Sequence, residues 1–198
     1  MAEPTSLPDQ DLCSRPHLAE YCSRVREMVS AERFQHIQRV ASLTEAIALA
    51  NAFPAADVDA ACLAAVLHDA ARDLPAEELL RLAPPENALE EEHPLSVHGR
   101  AARVIAESWG VHDGAVLEAI EGHVFGVMPD NRVGIAVYIA DVCEPGRGVN
   151  DDIRDLAMRD LGAAYERAVE SKVRYLRSRG KSVHPATLRV YEQIAHRT

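Results

Sequence analysis

The segment "AAVLHDAARDL", residues 64–74, ends an apolar run on an imidazole and a carboxylate, His68 and Asp69, before any turn signal. A polar pair so placed must find partners, because an unpaired buried polar group costs about 1–3 kcal/mol and a buried charge more. Four further positions share its character: His36 in "RFQHIQRVA", His98 in "LSVHGRAA", His123 at the end of "VLEAIEGH" and Asp141 in "VYIADVCEPGR". Each is bracketed by aliphatic residues, so each polar group is aimed at or near a core. Neutral imidazole nitrogens and carboxylate oxygens suit first-row divalent ions, and helices can each present one ligand into a bundle interior. The adjacency of His68 and Asp69 fits, since successive helical side chains diverge by about 100°. The two could hold different sides of one ion, or the carboxylate could bridge two. A lone histidine on a half-apolar helix is ordinarily a satisfied core or surface group; the ordered set of six residues is what points to metal.

These residues need elements to carry them. Apolar residues recur at three- and four-residue spacing around 17–29, 31–52 and 58–71, with Pro54 as a break and Asp57 available as a cap. Pro75 with "AEELLRL" reads as a short helix and "APPENALEEEHP" as a polar loop; helices resume around 95–109, 113–122, 130–142, 151–178 and 185–196. No window alternates as a strand does, and there are no internal repeats. The expectation is an all-α helical bundle with additional C-terminal helices. Residues 1–16, Pro-rich and aperiodic, read as a loose leader and 17–198 as a single domain.

A chain of 198 residues supports one substantial core, and 47% apolar with only 5% aromatic residues agrees with a helical protein. The net charge of −10 disfavours a nucleic-acid polymer as partner, although local charge and bound metal can still hold a phosphate. No stretch approaches the roughly 18 apolar residues of a membrane span, and "MAEPTSLPDQDL" lacks the features of a secretion signal, which implies the cytoplasm. Cys13, Cys22, Cys62 and Cys143 show no paired spacing and read as reduced packing residues. Apolar positions in the tail (Leu156, Leu161, Val169, Val173, Leu176) could cover the core or pair subunits in a homodimer.

The order H…HD…H…H…D, with "RFQHIQRVASL", "AVLHDAARDL", "HGRAA", "AIEGHVFGVMP" and "VYIADVCEPGR", resembles the HD-domain phosphohydrolase superfamily, and within it the YqeK-type symmetrical bis(5′-nucleosyl)-tetraphosphatases. The likeness spans roughly residues 17–170. It implies cleavage of a dinucleoside polyphosphate, diadenosine tetraphosphate, into two ADP at a centre of two divalent ions, usually described as iron, with manganese, cobalt or zinc compatible with the same donors. His36, His68, Asp69 and Asp141 would hold one ion and Asp69, His98 and His123 the other, leaving positions for water and a phosphate oxygen. In two places the chain departs from the resemblance: Arg72 stands where a lysine is usual after the HD pair, and Val124 where a threonine is usual after the later histidine.

Arg72 and Arg147, with Arg33 and Arg39 ranked lower, are the candidate phosphate-binding cations. Asp73 and Glu144 are candidate proton-transfer or ligand-orienting groups, and Asp69, Arg72 and Asp73 are the expected catalytic residues. His93 competes with His98, while His17, His112, His184 and His196 read as solvated. Trp109 and Phe125 could stack a nucleobase or pack in the core. Outside this reading stand an HD enzyme of other nucleotide specificity and a non-catalytic nucleotide-sensing module.

Overall fold

The computed structural model describes residues 12–196. Among them are eleven α-helices and no strand: α1 (Pro16–Met28), α2 (Ala31–Ala50), α3 (Ala55–Leu67), α4 (Ala76–Leu82), α5 (Ala88–Glu92), α6 (His98–Ser108), α7 (Gly114–Gly122), α8 (Arg132–Cys143), α9 (Asp151–Ala157), α10 (Leu161–Ser178) and α11 (Pro185–Ala195). The expected all-α architecture is the one formed. No helix of the described residues is long and apolar enough to cross a membrane.

The helix starts follow local chemistry. Ser30 caps α2 by accepting from the Arg33 N–H, Asp113 caps α7 through Ala115 and Val116, and Asp160 caps α10 through Ala163. Asn131 does two jobs: Oδ1 accepts from Gly134 N to cap α8, while Nδ2 donates to Ala115 O and Glu118 and pins α8 against α7. α8 is buried on nearly every side, from Val133 to Ala140, as befits a helix that neighbours surround. Around it α2, α3 and α7 pack on it, α3 also packs on α2 and on α7, α6 lies on α7, and α10 closes against α8, α9 and α11.

Several boundaries differ from the sequence-based expectation. α3 begins at Ala55 beneath Pro54, so Asp57 lies in its first turn and caps nothing. The expected loop 83–94 contains α5, because Asn87 accepts from Leu89 and Glu90 N–H and because buried Glu90 takes Arg100, His184 and the Glu86 N–H as partners. The long helix expected over 151–178 breaks between Met158 and Asp160, where Asp160 starts a new one. A helical turn at Leu12–Ser14, with Leu12 buried, precedes the expected start at His17; residues 1–11 of the expected leader lie outside the described residues. Cys13 and Cys22, expected to be reduced, form a disulfide with their Cα atoms 5.7 Å apart, because one helical turn and the start of α1 bring them together; Cys62 and Cys143 are free and buried as expected. Leu161, Val169 and Val173 cover this chain's own core.

Gly99 marks the tightest approach of α6 to α7. A Cβ there would lie 2.6 Å from Glu121 O and 3.0 Å from a Val124 methyl. Gly99→Ala must therefore push the two helices apart, and we expect it to destabilise the protein by about 1–3 kcal/mol, read as a lowered midpoint in urea unfolding.

Candidate metal centre

The four packed helices and α6 deliver six side chains to one point. His36 comes from the second turn of α2, His68 and Asp69 from the turn that ends α3, His98 from the start of α6, His123 from the end of α7, and Asp141 from the last turn of α8. His36, His68, Asp69, His98 and His123 are all buried.

Asp69 is the hub. Its Oδ2 lies 3.5 Å from His68 Nε2 and 3.7 Å from His36 Nε2; its Oδ1 lies 3.2 Å from His98 Nε2 and 3.4 Å from His123 Nε2. Asp141 Oδ1 stands 3.1 Å from His36 Nε2. The donor atoms of His36, His68 and Asp141 fall within 4.8 Å of one another, and so do those of His68, Asp69 and His123.

The other ring nitrogens fix what these four atoms can do. His68 Nδ1 bonds Ala65 O at 2.7 Å, His98 Nδ1 bonds Leu95 O at 2.6 Å and His123 Nδ1 bonds Ile120 O at 2.7 Å. Each histidine sits at a helix boundary and takes the carbonyl three residues back; Leu95 O also accepts from the backbone N–H of His98. A carbonyl only accepts, so Nδ1 carries the proton and Nε2 presents a lone pair. His36 obeys the same rule through Glu144, whose Oε1 lies 3.1 Å from Nδ1. Burial pushes the Glu144 carboxyl up, but the Arg39 guanidinium, His36 and the Gly146 N–H together bring it down to about 2, so it is an ionised acceptor.

Four imidazole lone pairs thus face a carboxylate. His98 Nε2 and His123 Nε2 also stand 3.0 Å from each other, about the separation of two nitrogens held at right angles on one ion at 2.1 Å each. His36 Nε2 and His68 Nε2 are buried without a hydrogen-bond partner. Acceptors crowded on acceptors are stable only around positive charge, and a divalent cation fits this donor set. Burial pushes Asp69 up, but His68, His123 and His98 hold it well below the usual carboxylate range; Asp141 is likewise held down by His36, His68 and Arg147. Burial pushes His68 down, but the Asp69 charge prevails and raises it, whereas burial leaves His123 lowered and therefore neutral. A proton and a metal ion compete for the same His68 lone pair.

The remaining sequence candidates divide. Arg33 donates to Asp69 Oδ2 at 3.0 Å and Arg147 to the carboxylate and carbonyl of Asp141, so both edge the cluster, while the Arg72 side chain makes no hydrogen bond or ion pair among the described residues. Asp73 is not brought to the cluster: it is exposed, and its carboxylate accepts from Ser30 N at 2.8 Å, which ties the HD turn to the start of α2. His93 is exposed and His98 is the histidine that converges. His184, expected to be solvated, instead caps α11, bonds Glu90 at 2.9 Å and stacks on Phe125 with ring centroids 3.6 Å apart. Phe125 therefore spends one face on a histidine, and Trp109 packs against the core beneath Arg24. Two groups escaped the sequence reading: Lys172, which reaches this region from α10, and Tyr165, whose hydroxyl both donates to Val127 O and accepts from Val127 N. Nothing in their local sequence sets them apart, since each sits in an ordinary amphipathic helix.

The family model described as "HD domain" matches residues 33–146. The chain is 31% identical over 151 residues to a probable nicotinate-nucleotide adenylyltransferase/Ap4A hydrolase of Mycoplasma genitalium; the match covers 71% of this chain and 42% of that relative, so the chain spans under half its length. It is 30% identical over 177 residues to a symmetrical bis(5′-nucleosyl)-tetraphosphatase of Bacillus subtilis, covering 86% of this chain and 93% of that protein. A similarly named Staphylococcus aureus protein is 34% identical over 138 residues, 67% of this chain and 70% of its own. Among solved structures, that of a predicted HD superfamily hydrolase involved in NAD metabolism from Clostridium acetobutylicum superposes with a TM-score of 0.81 at 23% identity, covering 91% of this chain and 97% of the other. That likeness establishes the fold.

Glu144 acts on metal only through His36. Glu144→Ala frees the imidazole to rotate and change tautomer, and we expect metal affinity to fall about 10–100-fold while the fold persists, measured by competition with a chromogenic chelator alongside circular dichroism.

Proposed function

The chain belongs to the HD domain family, and from that premise we propose that it is a metal-dependent hydrolase of dinucleoside polyphosphates, cutting diadenosine tetraphosphate symmetrically into two ADP. The observation that carries this reading is the convergence of four imidazole Nε2 atoms on the two oxygens of Asp69. His36, His68, Asp69 and Asp141 would hold one divalent ion, and Asp69, His98 and His123 a second. Iron is the metal the resemblance implies, and manganese, cobalt and zinc suit the same donors. Divalent ions so held supply an acidified water and neutralise charge on the phosphate oxygens.

The chain's own side chains do the rest. Asp69 and Asp141, held below the usual carboxylate range by the histidines around them and, at Asp141, by Arg147, give the centre its negative charge across the physiological range. The histidines, locked at Nδ1, offer lone pairs without having to rotate. Arg72 is the cation with donors to spare and is assigned to the polyphosphate, where its planar fork can take two oxygens. Arg33 and Arg147 each hold a carboxylate of the centre in place and border the space a phosphate would occupy. Asp73 acts at a distance, by fixing the turn that carries His68 and Asp69.

Incubation of the metal-loaded protein with diadenosine tetraphosphate should yield ADP alone on ion-exchange chromatography, and removal of metal by a chelator should stop it. AMP with ATP would mean a different cut, and metal-bound protein that turns over no nucleotide would mean a sensor. Arg72→Ala should raise KM about tenfold or more, the loss of one hydrogen bond to a charged partner, with metal content unchanged by elemental analysis.

A further inference from the structure

Lys172 lies on α10, outside the elements that carry the metal donors, yet its side chain crosses to them. Its ammonium donates to the carbonyl of Val124, the residue after His123, and sits 5.5 Å from the Tyr138 ring centroid and 6.0 Å from that of Phe125. Tyr138 stands one turn before Asp141 on α8, so Lys172 touches the residue that follows one donor, His123, and a ring one turn from another, Asp141. An ammonium has three N–H donors. One is spent on Val124; no carboxylate of the described residues pairs with it, and the flanking ring faces offer only diffuse attraction. The Tyr138 hydroxyl is buried and has no hydrogen-bond partner among the described residues. Burial pushes the lysine down to about 8, and only the field of Asp141 opposes this.

A half-buried cation with unspent donors beside a metal centre is arranged for an anion. We propose that Lys172 is a substrate-positioning residue that donates hydrogen bonds to a phosphate oxygen of the polyphosphate chain bound at the centre. This rests on the phosphohydrolase reading above. The role differs from that of Arg72 in its origin: Arg72 follows the HD turn, whereas Lys172 comes from α10, an element that supplies no metal donor.

The test is Lys172→Met, which keeps the apolar stem and removes the donors, with Lys172→Arg as the conservative partner. Binding of inorganic tripolyphosphate to the metal-loaded proteins is measured by calorimetry, and KM and kcat for diadenosine tetraphosphate are measured in parallel. Lys172→Met should weaken tripolyphosphate binding and raise KM by about tenfold or more, lower kcat by less, and leave metal content and melting temperature unchanged; Lys172→Arg should recover most of the binding. Equal tripolyphosphate affinity in wild type and Lys172→Met overturns the proposal. So does a loss matched by a fall in melting temperature that Lys172→Arg does not repair, since that describes a packing residue. If wild type binds tripolyphosphate in a Lys172-dependent way but leaves diadenosine tetraphosphate intact, the positioning role stands and the substrate reading falls.

Discussion

Everything in this fold answers to one electrostatic conflict: imidazole lone pairs are held 3.2–3.7 Å from both oxygens of one buried carboxylate. Left to themselves the groups would rotate, protonate or move apart. They do not because the helix ends hold them. Three of the four histidines close or open a helix, and each ties its Nδ1 to the carbonyl three residues back. Backbone carbonyls therefore decide which nitrogen faces Asp69. The repulsion that results is what a divalent ion relieves, so the cost of assembling the donors is met in the folding of α3, α6 and α7 and is not left for the moment of binding.

The packing around the centre serves the same end. Gly99 lets α6 lie against the α7 backbone, and Gly122 and Gly134 accept Val127 where a methyl would collide with it. These small residues bring His98 and His123 within 3.0 Å of each other. On the opposite side, the Asp73 carboxylate on Ser30 couples the HD turn to the first turn of α2, so His36 and Asp69 keep a common reference. Glu144 sits at the hinge after α8 and connects Asp141's helix to His36 and Arg39. Few of these contacts are individually strong; together they over-determine six side-chain positions.

Much of this was legible in the sequence, for a physical reason. Histidine and aspartate at aliphatic-flanked positions are costly unless shared, so six such residues in order point to a common partner, and the structure brings all six together. Glu144 was visible as a carboxylate near Asp141. What stayed hidden depends on contacts distant in sequence. The helix over Ala88–Glu92 forms because Glu90 meets Arg100 and His184, which no local pattern announces. The Cys13–Cys22 link and the early start at Leu12 come from packing against α1 and α2. Asp73 next to the HD pair looked catalytic because one-dimensional proximity was the only guide, yet its side chain leaves the turn on the outer side.

The short loop after His123 is held almost wholly by helices that supply no metal donor. Lys172 takes the Val124 carbonyl, Thr187 the Phe125 carbonyl at 2.8 Å, Tyr165 both polar groups of Val127, and His184 covers the Phe125 ring. The matched family model ends at residue 146, before any of these four residues. The six side chains that meet around Asp69 thus lie within the matched segment, while the side chains that hold the loop after His123 lie behind it. A substitution in α10 or α11 can therefore shift the loop that follows His123 without touching any of the six donors themselves.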